Sequence, residues 1–480
     1  MYIKRTTDCG QNIEKRRLMI AGMASGCGKT TIVCGILAAL KAKGLRVGSF
    51  KCGPDYIDPM FHRSVLGIPS YNLDPWFYNK DELCGFAAIM SKNTDISVME
   101  GVMGYYDGIG FSSLCSSYQV AKDTMTPVVI IVDAAGMGSS SIAVLEGFLN
   151  YKPKGFSDSE QKDCFIRGVI FNRMSKSLYQ EAEKATRSLG IIPLGYLPRN
   201  PDISINSRHL GLMIPDDSPS EHAELAGKIR TLHEFIVHTV DIDGLFDLAS
   251  MAAPLTNHIK GLSSGCETGI EKPRIAVAKD PAFCFFYPQD ALILEELGCE
   301  LVYFSPLRGE TIPKDVCGLI LPGGYPEVYA KGLSSNTEFL CQLNEAISHG
   351  LPTIAECGGF MVLHDEIEAL DGSLYPMAGV IHGVCKRGDR LKHFGYVTIR
   401  PEAEGLLSAK GDVLKGHEFH YWDSTASGAS FTATKASNSA SWKTGYSMPN
   451  LYAGFPHIPL SANKEAAKRF VRAAAAFSVR

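Results

Sequence analysis

The stretch Ala21-Gly22-Met23-Ala24-Ser25-Gly26-Cys27-Gly28-Lys29-Thr30-Thr31 constrains the fold of this chain more than any other. A short apolar run, Leu18 to Ala21, leads into it. An amphipathic pattern with Ile32, Ile36, Leu37 and Leu40 comes after it and stops at Gly44. Strand, small-residue turn and helix in that order make the start of a parallel β-α-β unit. Small residues let the backbone curl until several N–H groups point at one centre. Lys29 adds a positive charge, the Thr30 hydroxyl suits magnesium, and the helix start adds the positive end of its dipole. The stretch reads as a nucleoside triphosphate cradle, with Gly26, Cys27, Gly28, Lys29, Thr30 and Thr31 as its binding residues. Its first glycine, Gly22, stands one position earlier than the strict G-x-x-x-x-G-K-[ST] spacing, which has Met23 in the glycine's place here.

A chain of 480 residues exceeds one ordinary core, so two or three domains are expected. A net charge of −4 argues against general nucleic-acid binding while leaving room for a local basic pocket. No apolar run is long enough to cross a bilayer, and Met1 to Arg17 lacks the apolar core of a secretion signal. A cytoplasmic location is the expectation. The 14 cysteines are scattered without a C-x-x-C pair, so a zinc ribbon or redox dithiol is unsupported.

Short apolar runs alternate with amphipathic segments through the first half: Arg46–Lys51, Ile96–Met99, Val128–Val132, Phe165–Phe171 and Ile191–Tyr196. Repeated strand–helix–strand units imply an α/β sheet covered on both faces. Met251 to Lys272 is rich in small and helix-breaking residues. Strand signals resume at Ile275–Ala278, Glu300–Phe304, Gly318–Leu321 and Thr353–Ala355, with antiparallel material expected nearer the end. The reading is two α/β domains: an N-terminal extension over 1–17, a P-loop ATP-binding domain over 18–248, a linker over 249–273 and a second domain over 274–480.

Acids gather after the strands next to the cradle. Lys51-Cys52-Gly53-Pro54-Asp55-Tyr56-Ile57-Asp58-Pro59 succeeds one, and Glu100 and Asp107 succeed another in Glu100-Gly101-Val102-Met103-Gly104-Tyr105-Tyr106-Asp107-Gly108. Open α/β sheets bind ligands at the carboxyl ends of their strands. Magnesium on a triphosphate takes hard oxygen ligands, usually one or two protein carboxylates. Thr30, Asp55 and Glu100 are the expected metal ligands, with Asp55, Asp58 and Asp107 lining the substrate and phosphoryl site. These strings, with Asn72-Leu73-Asp74-Pro75-Trp76 and Arg208-His209-Leu210-Gly211-Leu212, resemble the cobyrinic acid a,c-diamide synthases. The glycine spacing of the cradle is similar to that of the dethiobiotin synthetases. The resemblance implies a dethiobiotin synthetase-like P-loop sheet that uses ATP and Mg2+ to phosphorylate a substrate carboxylate. It also implies that Asn172, in Phe171-Asn172-Arg173, lies near the adenine.

A second reaction centre lies far downstream. Ile354-Ala355-Glu356-Cys357-Gly358-Gly359-Phe360 reads as strand, cysteine on a sharp glycine-flanked turn, then helix. That is the geometry of a lifted nucleophile, at a helix start whose dipole favours thiolate. Leu321-Pro322-Gly323-Gly324-Tyr325-Pro326-Glu327 comes after another strand, and the N–H groups of Gly323, Gly324 and Gly358 are candidate oxyanion donors. Together with Asp280-Pro281-Ala282-Phe283-Cys284-Phe285-Phe286-Tyr287-Pro288, these resemble a class I glutamine amidotransferase domain, which implies hydrolysis of glutamine through a Cys357 thioester. The expected base is His457 in Gly454-Phe455-Pro456-His457-Ile458-Pro459. Relatives of the wider class carry Glu two residues on, where this chain has Pro459, so the expectation is a Cys–His pair. His417 and His420 compete for the role of base, and neither receives one.

The assembled expectation is a ligase with Lys29, Cys357 and His457 as catalytic residues. Ammonia freed by the second domain reaches an acyl phosphate made by the first, along a sheltered path. By resemblance the acceptor is cobyrinic acid, amidated on its a and c acetates in cobalamin biosynthesis. Expected partners are ATP, glutamine and a tetrapyrrole polycarboxylate, with neither nucleic acid nor membrane; a homodimer is compatible. The alternatives are another tetrapyrrole such as nickel-sirohydrochlorin and, from a different class, a partitioning-type switch ATPase.

Overall fold

Seven parallel strands carry the first half of the chain. They are β1 (Arg16–Gly22), β2 (Val47–Cys52), β3 (Ser70–Leu73), β4 (Ile96–Glu100), β5 (Val128–Asp133), β6 (Ile166–Asn172) and β7 (Ile192–Leu197), in the order β3-β2-β4-β1-β5-β6-β7. Every neighbouring pair is parallel, and Val128 to Val132 are at most 1% exposed. Burial on both faces explains why these strands read as continuous apolar runs. Lys29–Ala42 forms the first helix, α1, directly after the cradle.

The computed structural model describes residues 12–13, 15–157, 163–200, 207–208, 211–212, 219–256 and 272–478. His209 and Leu210, most of the 1–17 extension and 257–271 of the expected linker lie outside them. The chain divides into two compact bodies, Met1–Ile259 and Lys260–Arg480.

Two expected limits move. β1 starts at Arg16, two residues before the apolar run, because the Arg17 side chain finds buried acceptors. Its guanidinium donates to Thr124 O (2.5 Å), Ala253 O (2.5 Å) and Thr126 Oγ1 (3.0 Å). Residues 249–256 are therefore packed into the first body, and Leu255–Thr256 pairs antiparallel with Asn12–Ile13. A short edge strand, β3, also runs into the start of the Asn72–Trp76 segment. Asn72 Nδ2 donates to the Gly53 (3.0 Å) and Asp55 (2.6 Å) carbonyls, so this segment clamps the acidic loop after β2.

The second body has a six-stranded sheet of β8 (Arg274–Ala278), β9 (Glu300–Phe304), β10 (Gly318–Leu321), β11 (Thr353–Glu356), β12 (Tyr446–Ser447) and β13 (Leu451–Gly454), ordered β9-β8-β10-β11-β13-β12. All its pairs are parallel except β12 with β13. A second, mixed sheet contains Ile381–Pro401 and its antiparallel partners Leu414–Ser424 and Phe431–Lys435. The core beneath β11 includes Phe360, Leu321, Ala355 and Phe455. The register of β11 on β13 sets Glu356 beside Gly454, which brings the end of β11 against the segment leaving β13.

Candidate functional site

At the carboxyl ends of β1, β2 and β4 the cradle closes as its spacing requires. Gly28 precedes α1 with φ 92°, a left-handed value, and a Cβ there would lie 2.3 Å from Asn172 Nδ2. Only glycine combines that φ with so close an approach. Gly26 is also left-handed, at φ 73°, on an exposed crest, and Thr31 is half-buried in the first turn of α1. The early first glycine is explained too. A Cβ on Gly22 would sit 2.3 Å from Cys27 Sγ and 2.9 Å from the Lys29 stem. Asn172 donates to Cys27 O at 2.9 Å, so this amide holds the loop itself. Lys29 Nζ donates to Ala24 O (2.8 Å) and Met103 O (2.5 Å). Burial lowers its pKa, and Lys51 adds to the effect.

The acids converge on a lysine that no local motif singles out. Lys51, in a strand buried at every position, donates to Asp58 (2.5 Å) and Glu100 (2.8 Å) and lies 4.0 Å from Asp55. Burial alone would lower the Lys51 pKa, but Asp58, Glu100 and Asp55 hold it well above the usual range. Burial likewise opposes ionisation of Asp58, yet Lys51 wins and holds that carboxyl down. Asp55 is pushed up to about 7 by desolvation and then by Asp58, while its Oδ1 accepts the Ile57 N–H at 2.8 Å. Glu100 is fully buried, which raises its pKa. Its Oε1 accepts from Thr30 Oγ1 at 2.6 Å, and its Oε2 has no hydrogen-bond partner. His62 lies 3.8 Å from that oxygen; burial lowers it to about 4, so it is neutral at pH 7. Asp107 is exposed and its Oδ2 accepts the Gly104 N–H at 2.9 Å, closing the turn whose Met103 carbonyl receives Lys29.

Among the described residues no group of three or more His, Cys, Asp or Glu side chains is arranged to hold a metal ion. The Thr30 hydroxyl, with the unpartnered Glu100 oxygen, is instead an incomplete set of hard oxygen donors. Phosphate oxygens and water would complete it, which fits a magnesium ion arriving with a nucleotide.

The elbow of the second body is strained. Cys357 has φ 47° and ψ −103°, outside the wells open to L-residues, between β11 and the helix Gly358–Val362. Its N–H is fixed by Gly454 O at 2.8 Å. The neighbouring glycines are close-approach positions. A Cβ on Gly359 would lie 2.0 Å from Leu321 O, one on Gly358 2.9 Å from Gly324 N, and one on Gly323 2.5 Å from His457 Cε1. Gly324 thus lies against Gly358, the residue after Cys357, and His457 lies against Gly323. The Asp280–Pro288 segment joins them, since Phe285 N donates to Gly323 O at 2.9 Å.

One expectation is corrected at the sulfur. The helix is five residues long, and its dipole does not rule the thiol. Burial pushes the Cys357 pKa up, the Glu327, Glu356 and Glu418 carboxyls push the same way, and the Gly358 N–H opposes them. The resting group is the thiol, and its proton must be taken when attack occurs.

His457 is 2% exposed, and its Nδ1 is 3.6 Å from Glu356 Oε2. Its ring stacks on His417 at 4.8 Å and 7°. The two residues also exchange backbone hydrogen bonds, and His417 Nε2 meets Tyr287 Oη at 3.1 Å. Burial keeps His417 neutral, with its pKa far below the ordinary histidine value. His420 instead stacks on Phe455 at 3.9 Å, and its Nδ1 meets Trp422 O at 2.6 Å. Sequence reasoning missed Lys51 and Glu356. The available signal was a charged residue inside, or ending, an otherwise buried strand.

Comparison with known proteins gives a family for each body. Residues 18–212 match the CobQ/CobB/MinD/ParA nucleotide binding domain, and residues 274–465 match the CobB/CobQ-like glutamine amidotransferase domain. Cobyrinate a,c-diamide synthase of Caldanaerobacter subterraneus subsp. tengcongensis is 36% identical over 466 residues, 96% of this chain and 99% of its own. The Priestia megaterium protein of that name is 37% identical over 467 residues, 96% of this chain and 97% of its own. The Thermoplasma volcanium one is 38% identical over 406 residues, 84% and 85% of the two chains. Two α/β bodies, one binding nucleotide and one of the amidotransferase kind, define a glutamine-dependent ligase. Within that class the chain belongs to the cobyrinate a,c-diamide synthase family, which replaces the alternative of a partitioning switch. Among the described residues no helix is long and apolar enough to cross a membrane.

Proposed function

We propose that this chain amidates the a and c acetates of cobyrinic acid in cobalamin biosynthesis, using one ATP and one glutamine per amide. Family membership supports the acceptor, and the site geometry supports the chemistry. A carboxylate is a poor acyl donor because oxide would have to leave. Transfer of the γ-phosphoryl group from ATP to a carboxylate oxygen gives an acyl phosphate and ADP. Ammonia then attacks the carbonyl carbon, the C–O bond to phosphate breaks, and amide and phosphate result. Phosphoryl transfer needs positioning and charge neutralisation more than covalent help. Lys29 and the loop N–H groups hold the phosphates. Thr30 and Glu100 would hold magnesium, which when bound neutralises phosphate charge. Lys51 holds the Asp58 carboxyl down and offsets the acids around the incoming anions.

The second body supplies the ammonia. The Cys357 thiol gives its proton to His457 as sulfur attacks the glutamine amide carbon. The oxyanion forms beside the Gly323, Gly324 and Gly358 amides. The C–N bond breaks, ammonia leaves with the proton from His457, and water hydrolyses the thioester to glutamate. Asp55 and Asp107 face the acceptor in this reading, and Asn172 maintains the loop that holds ATP.

The strained elbow at Cys357, on the same polypeptide as a lysine-bearing phosphate cradle, carries the reading. The test is mass spectrometry of tetrapyrrole products after incubation with ATP, Mg2+ and glutamine. The expected result is cobyrinic acid with two added amide nitrogens, and ADP and glutamate formed in step. Diamidation of nickel-sirohydrochlorin in place of cobyrinic acid would overturn the proposed acceptor. Amidation without glutamate release would overturn the role of Cys357.

A further inference from the structure

An imidazole that accepts a proton through one nitrogen works best when its other nitrogen is held by an acid, which fixes the tautomer and stabilises the imidazolium. Pro459 stands where the wider class has that acid. The structure offers another carboxylate from the opposite direction. Glu356 ends β11, one residue before the nucleophile, and its Oε2 lies 3.6 Å from His457 Nδ1. Its Oε1 accepts the N–H of Ile458, the residue after His457, at 2.8 Å. Both carboxyl oxygens are thus directed at one dipeptide. The Glu356 side chain is 14% exposed and that of His457 2%, so water screens the pair poorly. The Cε1–Nε2 edge of the imidazole lies against Gly323, where a Cβ would meet Cε1 at 2.5 Å and Nε2 at 3.3 Å. The ring therefore turns Nδ1 to the acid and Nε2 to the oxyanion loop. His417, stacked on its face, is neutral and cannot replace the acid.

We propose that Glu356 is the positioning acid of the glutaminase centre. Its carboxylate accepts the Nδ1–H of His457, leaving Nε2 unprotonated to take the Cys357 proton, and it faces the imidazolium until that proton departs with ammonia. The contact tightens to a hydrogen bond as the ring gains charge; such contacts are commonly looser in substrate-free enzymes. The end of β11 thereby supplies the acid and, one residue on, the nucleophile, while the segment leaving β13 supplies the base. The inference rests on the reading of Cys357 and His457 as nucleophile and base.

The test is a double-mutant cycle in the full-length chain, with glutamate release as readout. Glu356→Gln keeps the volume and a carbonyl for the Ile458 N–H, so its melting temperature should match that of the parent. Its glutaminase kcat should fall by roughly 10²–10⁴-fold with KM for glutamine little changed. Glu356→Asp, which keeps the charge on a shorter stem, should recover part of that loss. In a His457→Ala background, Glu356→Gln should cost less than about 3-fold more, because its partner is gone. An equal loss in both backgrounds would overturn the proposal, as would a Glu356→Gln kcat close to that of the parent. Should Glu356→Gln fail to fold, the unaltered protein still decides. ¹⁵N-edited NMR should detect a downfield Nδ1-bound proton that disappears in His457→Ala, and its absence would overturn the assignment. A parent chain that releases no glutamate refutes the reading of Cys357, a separate outcome from a failure of Glu356.

Discussion

Lys51 is the countercharge of Asp58 and Glu100, and its removal tests the electrostatics directly. It is 5% exposed and bridges Asp58 and Glu100, themselves 6% and 0% exposed. Breaking a buried ion pair from one side leaves uncompensated charge and costs about 3–5 kcal/mol. Lys51→Met should lower first-body stability by about that much in urea titrations and abolish amidation with either glutamine or ammonium as nitrogen source. A variant as stable and active as the parent would remove Lys51 from the mechanism. Glu327 tests the sulfur's surroundings through pH. Burial raises its pKa to about 7, against an ordinary glutamate value of about 4.3. The folded chain therefore favours the protonated form. That contribution to stability is complete below about pH 4 and is lost as pH rises through about 7. Glu327→Gln cannot ionise, so its melting temperature should gain on that of the parent between pH 5 and pH 8. Asp290, raised to about 7 by burial, and Asp55 produce alkaline losses of their own, so the difference between the two proteins is the diagnostic quantity. Glu327 is also the largest charge raising the Cys357 pKa, so iodoacetamide should label Cys357 faster in the variant at pH 8. Parallel pH curves and equal labelling would show that Glu327 bears on neither.

At the scale of elements, what the chain spells locally was legible and what sheet register assembles was not. The cradle and the elbow are each contained within about a dozen consecutive residues, because glycine at fixed offsets is a local steric demand. Gly28 and Gly359 answer contacts of 2.3 Å and 2.0 Å that no side chain could tolerate. Lys51 meets Glu100 only because β2 pairs with β4 in the register that sets those two residues side by side. Glu356 meets His457 only because β11 pairs with β13. No spacing within either strand encodes these meetings. The start of β1 has the same character. Arg17 looked like the end of a polar tail, whereas its guanidinium is 1% exposed and bonded to residues more than 100 positions away. Arg17→Ala would leave the Thr124 and Ala253 carbonyls without that donor and should cost about 3 kcal/mol. Hydrogen exchange checks it: the Leu18–Ala21 amides should lose protection while those of Thr353–Glu356 keep theirs. Unchanged exchange in β1 would mean the guanidinium does not anchor the strand.

Over the whole molecule, the proposed function assigns a different chemistry to each of the two bodies, and that division is itself testable. Among the described residues, the first body has the cradle but no candidate thiol–imidazole pair near it, since Cys27 touches Lys29 (3.9 Å) and His62 is held behind Glu100. The second body has the strained thiol and, among its described residues, none of the lysine-bearing glycine loop that phosphates require. Each variant should therefore fail at its own step. Cys357→Ala should release no glutamate from glutamine yet amidate the tetrapyrrole when ammonium is supplied at high pH, where unprotonated ammonia is abundant. Lys29→Ala should form amide from neither nitrogen source, because the acyl phosphate is never made, while still hydrolysing glutamine. Lys29 both holds the phosphates and offsets the charge that develops in transfer, so its loss should raise the KM for ATP and also leave a kcat defect that saturating ATP does not repair. If Cys357→Ala were equally dead with ammonium, or if Lys29→Ala amidated with it, the two centres would not divide the reaction as their geometry implies. Should Lys29→Ala also lose glutaminase, with its melting temperature unchanged, glutamine hydrolysis would be licensed by the loaded cradle. The pair would then be coupled by a free energy that the same two variants measure.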